Sequence, residues 1–299
     1  YWGLRRYAGL PDDQFGLEPT VQMYVAHTVE ILREVRRVLR KDGVAFWNLG
    51  DSYSGSGKGI GSDHGKAVFT DADIVKLPNS PGLKPKDLCL IPFRVALAAQ
   101  DDGWWVRSVI IWSKNNPMPE SVTDRPTESH EYILMLTKAA RYYWDQEAVR
   151  EPHPESYFER MKYPVSDHRG NGGQSWVETK DNPMRKILEP TSGRNLRSVW
   201  EFPTQPYRKA HFATFPEALP ERCIKAATPE VGSCPKCGGP WVRVQEVNGL
   251  VQSGHVSPTD RNVHADIPGN VLSATSSLRT GLQRSFQSLG WRASCRCGL

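Results

Sequence analysis

Residues 105–136 read WVRSVIIWSKNNPMPESVTDRPTESHEYILML. The two ends of this stretch, WVRSVIIWSK from Trp105 and EYILML from Glu131, are β-branched, aromatic and other apolar runs bounded by breakers. Such runs predict strands inside an α/β sheet. Between them lie Pro117, Pro119 and Pro126, the tandem Asn115 and Asn116, and Lys114, Glu120, Asp124, Arg125, Glu128, His130 and Glu131. A connection alone requires neither this length nor this charge. Loops that leave the carboxyl ends of sheet strands are where α/β proteins place their chemistry. The bland alternative is a solvated loop stiffened by proline.

Toward the amino terminus, residues 20–40 predict an amphipathic helix. Val21, Tyr24, Thr28, Leu32, Val35 and Val38 recur at three- and four-residue steps. Thr20 is the expected N-cap and Gly43 the expected closing residue. VAFWNL (44–49) reads as a buried strand and GDSY (50–53) as its exit turn. Asp51 on that exit is a candidate hydrogen-bond acceptor for function; a turn cap is the competing reading. The glycine-rich SGSGKGIGSDHGK (54–66) fails as a phosphate loop, because Ser52 stands where glycine is needed and Gly59 where Ser or Thr is needed. It reads as a loop closing over substrate, or as plain disorder. Residues 90–102 predict a second helix, with Pro92 in its first turn and Gly103 near its end.

A chain of 299 residues can bury a real core and one small appendage. Its mean hydropathy of −0.53 describes a soluble protein, and no apolar run reaches the length of a membrane span. A net charge of +5 is compatible with a polyanionic partner, since phosphate contacts supply most non-specific nucleic-acid affinity. From Arg141 to Tyr207 aromatics such as Tyr142, Tyr157, Trp176 and Trp200 alternate with Arg150, Arg160, Lys180 and Arg194. That mixture suits backbone neutralisation and base stacking, against the alternative of an irregular surface excursion.

Four of the six cysteines form two tight pairs, Cys234/Cys237 and Cys295/Cys297. The knuckle CPKCG (234–238) is a zinc-ribbon signal, and 57 residues separate Cys237 from Cys295. A four-cysteine structural zinc is expected, with free thiols or a redox pair as alternatives. Gln252 to Arg284, rich in Ser, Thr and Asn, reads as flexible.

IWSKNNPMPESVTDRP (111–126) resembles the DNA amino-methyltransferases, which use S-adenosylmethionine to methylate N4 of cytosine or N6 of adenine. The resemblance runs from Tyr1 to about Gly232 and includes the helix–KDG–strand unit. It implies an α/β fold: an incomplete Rossmann-like methyltransferase core with a small zinc-ribbon insertion. The domains expected are a catalytic core (1–150), a target-recognition region (151–208), a returning cofactor segment (209–232) and the ribbon (233–299). Tyr1 resembles the aromatic of the family's catalytic motif, which holds an extruded base, and Asp51 is the second catalytic candidate. Trp2, Lys114, Asn116, Pro117, Glu120 and Arg125 are expected to face the target base or DNA. His211, Phe212, Thr214, Phe215 and Pro216 resemble the cofactor motif, and Thr214 and Glu217 have capping-box spacing for a helix start.

The resemblance also implies that the chain begins one residue into its catalytic motif and stops before the Gly-x-Gly cofactor turn. The 299 residues alone are therefore expected to transfer little or no methyl. Double-stranded DNA is the expected partner, a homodimer and a cognate restriction nuclease are compatible with it, and a prokaryotic or phage-encoded cytoplasmic protein is expected. N4 of cytosine is preferred and N6 of adenine next. The rival is a non-catalytic zinc-ribbon module that binds nucleic acid.

Overall fold

The computed structural model describes residues 2–3, 14–55, 80–161, 193–206, 214–248 and 285–297. In chain order its elements are α1 (Val21–Val38), β1 (Val44–Leu49), α2 (Ile91–Asp101), β2 (Trp105–Ser113), β3 (His130–Thr137), α3 (Glu155–Met161), β4 (Val199–Glu201), α4 (Ala218–Ala227), β5 (Trp241–Asn248) and β6 (Ser285–Ala293). They divide into two units, 1–144 with 197–228 and 145–196 with 229–299. The boundaries read from the sequence stood at 150, 208 and 232. Among the described residues no helix is long and apolar enough to cross a membrane.

The first unit is a mixed α/β structure. Its sheet has the order β1-β3-β2-β4. β3 runs antiparallel to both β1 and β2, whereas β4 runs parallel to β2. β1, β2 and β4 therefore point the same way, and their carboxyl ends share one sheet edge with the amino end of β3. The register places Leu49 opposite Tyr132, and Ser113 opposite both His130 and Glu201, at that edge.

β3 is the central strand, and its run ILML is buried on both faces. That is why it reads as continuous rather than alternating. Leu134 and Leu136 join Leu49, α1 and α2 in one core with Trp2, Tyr24, Leu32, Val95 and Trp104. In β2 the register slips between Val106 and Ser108, a bulge at Arg107.

Helix α1 starts as expected: the Thr20 hydroxyl accepts from Met23 N at 3.2 Å. Its end differs. The chain leaves through Leu39 in an extended conformation, and Gly43 is not a left-handed cap. Glycine is needed there for space, because a Cβ would stand 2.7 Å from the Leu39 side chain. Helix α2 starts after Leu90, which is held at φ +56°. That left-handed backbone is costly for a bulky residue.

The second unit contains the β5–β6 ribbon, paired antiparallel with Trp241 opposite Ala293 and Arg243 opposite Trp291. The Arg243 guanidinium lies 4.3 Å over the Trp291 ring and bonds the buried Asp145 carboxylate at 3.0 Å. Asp145 also accepts from Ala148 N, at the start of the short turn before α3. Glu151 and Arg194 pair through their backbones and through a 3.0 Å ion pair. The absence of a Cβ at Gly193 lets these strands meet, since one would stand 2.5 Å from Glu151 O.

Candidate active site at the strand ends

Three strand exits and one strand entry meet at the shared edge of the first unit, and each contributes polar groups. The β1 exit supplies Asp51. Its Oδ1 accepts from Ser52 N at 2.9 Å and from Ile91 N at 3.1 Å, so it caps α2 as well as its own turn. Leu90, the residue before α2, offers no side-chain acceptor. A helix start without a local cap was the available signal that a remote acceptor had to exist. The other oxygen, Oδ2, is buried and has no hydrogen-bond partner among the described residues. Burial pushes the Asp51 carboxyl above the ordinary carboxylate range; the Ile91 and Ser52 N–H groups oppose this, and the nearby Glu128 carboxylate adds to it.

The rest of this exit is pinned. Cys89 N donates to Ser52 O and Ser54 N to Asp87 O, each at 2.8 Å. Ser52 Oγ donates to Trp2 O at 3.1 Å, which sets the backbone of Trp2 against the β1 exit. The Trp2 ring, expected to face DNA, is found inside the protein. It is 1% exposed, sits in the core, and its Nε1 donates to Glu18 O at 2.8 Å. An indole has enough apolar surface that the core claims it when its N–H finds a partner.

The loop between β2 and β3 is held by its own charges. Lys114 pairs with Glu131 at 2.5 Å, both largely buried, and its Nζ lies 5.0 Å from the Trp112 ring centre. Arg125 bonds Glu120 at 2.9 Å and stacks 4.1 Å over the Tyr53 ring, tying the loop to the β1 exit. Asn116 exchanges bonds with Thr204 beyond β4, accepting from its N at 2.7 Å. Pro117 is half-buried, and Met118 is 78% exposed beside it. Lys114, Asn116, Glu120 and Arg125 thus all belong to the edge, though each is engaged with the protein itself. Tyr53, Glu128 and Tyr132, absent from the sequence expectation, complete the surroundings of Asp51.

Of the expected cofactor residues, Thr214, Phe215 and Pro216 are described. Pro216 is buried and the Phe215 ring is 49% exposed. The capping box does not form. Helix α4 opens at Ala218, and Glu217 N donates to Gln205 Oε1 at 3.2 Å instead. Gln205 follows Thr204, so Asn116, Thr204, Gln205 and Glu217 link the β2–β3 loop to the start of α4. His211, Phe212 and Tyr1 lie outside the described residues, as does the glycine-rich stretch beyond Gly55. In the basic, aromatic segment, Trp200 is buried, donating to Arg197 O at 2.7 Å, and Arg150 is paired with Glu147. Neither side chain presents a free stacking or phosphate-binding surface.

In the second unit, the Sγ atoms of Cys234, Cys237, Cys295 and Cys297 lie within 4.8 Å of one another. The two pairs read from the sequence do come together.

The sequence pattern of the DNA methylase family matches residues 1–235. The chain belongs to that family. Among DNA methylase relatives, the Type II methyltransferase M.Cfr9I of Citrobacter freundii is 42% identical over 228 residues, 76% of this chain and 63% of its own length. The Type II methyltransferase M.SmaI of Serratia marcescens is 38% identical over 228 residues, covering 76% and 66%. The chain therefore spans just under two thirds of the length of these relatives. A solved structure titled PvuII DNA methyltransferase (cytosine-N4-specific) is similar over 75% of this chain and 62% of its own, at 14% identity and a TM-score of 0.43.

Proposed function

We propose that the chain is the catalytic part of an S-adenosylmethionine-dependent methyltransferase acting on an exocyclic amine of a flipped base in double-stranded DNA. N4 of cytosine is the first choice and N6 of adenine the next. The fold reading that accompanies it is a Rossmann-like core carrying a small zinc-ribbon appendage. Membership of the DNA methylase family supports the reaction class. The observation that carries the site is the buried Oδ2 of Asp51, without a hydrogen-bond partner among the described residues, at the edge where β1, β2 and β4 end.

An exocyclic amine is a poor nucleophile because its lone pair is delocalised into the ring. An acceptor for one N–H leaves the nitrogen more pyramidal and its lone pair more available. Asp51 has the oxygen for this, and its other oxygen is fixed by two backbone N–H groups, so the carboxylate is held in place before any base arrives. S-adenosylmethionine, when bound, supplies a sulfonium-borne methyl carbon. The amine would take up that methyl, and the proton it gives up would pass to an acceptor at the strand ends or to water. No covalent enzyme intermediate is needed, and neither buried thiol of the first unit, Cys89 pushed up to about 11 nor Cys223 pushed up to about 12 by burial, is suited to be a nucleophile.

The residues present fit one side of the cofactor. Phe215 offers a half-exposed ring for an adenine-like face at the start of α4, and Gln205 and Asn116 stand on the same chain of bonds. A homodimer, a cognate restriction nuclease and a prokaryotic or phage cytoplasmic setting are proposed on the resemblance alone. The test is methyl transfer from labelled S-adenosylmethionine to duplex DNA by the protein that carries this chain, with product nucleosides identified by mass spectrometry. N4-methylcytosine or N6-methyladenine is expected. DNA binding with no S-adenosylmethionine binding would instead identify a non-catalytic nucleic-acid module.

A further inference from the structure

We propose that Cys234, Cys237, Cys295 and Cys297 hold one zinc ion as four thiolates, and that this ion closes the open end of the β5–β6 ribbon. The inference does not rest on the methyl-transfer reading.

The geometry is that of a prepared tetrahedral site. All four Sγ atoms lie within 4.8 Å of one another, and none of the cysteines is in a disulfide. With Zn–S distances of about 2.3 Å, the edges of a regular tetrahedron of sulfurs are about 3.8 Å. A contraction of about an ångström at the longest separation completes it. A disulfide would instead bring sulfurs into separate bonded pairs about 2.05 Å apart.

Both halves of the site are built by backbone. Cys234 N donates to Gly239 O and Gly238 N donates to Cys234 O, each at 2.7 Å, forming the knuckle. Gly238 holds φ +70°, and Gly239 N points at Cys237 Sγ at 3.4 Å. A Cβ on Gly239 would stand 3.2 Å from the Cys295 Cβ, so glycine is what lets the knuckle approach the second pair. That pair arrives on β6: Ala293 is opposite Trp241, and Ser294 N bonds Pro240 O at 3.1 Å. The strand register thus delivers Cys295 and Cys297 to the knuckle across the intervening segment. Four thiolates around Zn2+ leave a net charge of −2. Lys236, whose Nζ bonds Cys297 O at 3.3 Å, and Arg296 are placed to offset it.

A two-stranded ribbon is marginal in water without further support. Metal binding supplies it, because the free energy of binding becomes free energy of folding while thiol protons are released. Four protein ligands leave no open position, so the ion is structural. It also holds in register Arg243 and Trp291, whose contacts anchor the ribbon to Asp145.

The test is elemental analysis of the purified protein, prepared without chelator. About one zinc per chain is expected, lost in Cys237→Ser and in Cys297→Ser and kept in Cys223→Ser. Replacing zinc by cobalt in the unmutated protein should give the intense visible bands and thiolate charge-transfer absorption of a four-sulfur tetrahedral site. This readout needs no variant to fold. Absence of metal, with intact mass showing four hydrogens lost to two disulfides, would overturn the proposal. So would zinc retained in Cys237→Ser, or a cobalt spectrum of octahedral type.

Discussion

The Asp51 carboxylate accepts a hydrogen bond at 3.1 Å from the N–H of Ile91, which opens α2 forty residues further along the chain. The same oxygen holds Ser52 N, so one atom fixes both the turn after β1 and the start of a core helix. A residue required only as a cap would turn its second oxygen to water. Here Oδ2 is buried and, among the described residues, without a partner.

Asp51→Asn tests this division of labour. The amide oxygen retains both backbone bonds while the charge is removed, so the fold should persist. Methyl transfer should fall by about 100-fold or more, the usual worth of a positioned acceptor or base. Asp51→Ala should lose activity and also cost about 1 kcal/mol of stability through the missing cap. Thermal unfolding and turnover measured on both variants separate the effects; equal activity in Asp51→Asn and the unmutated protein would reduce Asp51 to a cap.

The pH dependence has a definite sign. Burial, the largest influence, holds the Asp51 carboxyl above its unfolded value of about 3.9. The native state therefore keeps this proton more tightly than the unfolded chain does. Its contribution to stability is complete below the unfolded value and is lost as pH rises through the raised native one. The stability of the unmutated protein relative to Asp51→Asn should therefore decline from about pH 4 upward and then level off. Turnover should rise over the same window, as the acceptor ionises. Denaturant titrations at several pH values that gave a constant difference would contradict the assignment.

Lys114 and Glu131 form a largely buried pair beneath the β2–β3 loop. Lys114→Ala takes the ammonium away from a largely buried carboxylate and should lower stability. The double variant Lys114→Met/Glu131→Gln should recover much of that loss. The exposed pair Lys86–Asp124 is the contrast, and Lys86→Ala should leave the urea midpoint unchanged.

Trp2 offers a test of core against DNA contact. Trp2→Ala removes a fully buried indole and should cost about 3–5 kcal/mol. Trp2→Phe should lower stability less. Below its unfolding temperature Trp2→Phe should bind duplex DNA as the unmutated protein does, measured by fluorescence anisotropy. A selective loss of DNA affinity in a stably folded Trp2→Phe would return the residue to the interface.

Local order was legible where it repeats within a few residues. The spacing of Val21, Tyr24, Thr28 and Leu32 specified α1, and Thr20 caps it. The apolar runs around Ile111 and Ile133 specified β2 and β3. β4, three residues long, carries no period to read and fell inside the segment read as a target-recognition region. α3, seven residues long, and the two ribbon strands, which pair with each other across a long intervening stretch of sequence, were also not read in advance. The start of α4 was misplaced because Gln205, not Thr214, takes the Glu217 N–H.

The chain's own letters were enough to assign the family, the two long helices, the three main strands and the grouping of four cysteines, since each depends on neighbours close in sequence or on side-chain chemistry alone. Tertiary structure decided the rest: that β3 lies between β1 and β2, that Trp2 points inward, and that one oxygen of Asp51 reaches Ile91 while the other has no partner among the described residues. Such contacts join residues far apart in the chain, 40 positions between Asp51 and Ile91 and 93 between Val44 and Thr137, and only packing the sheet against α1 and α2 makes them.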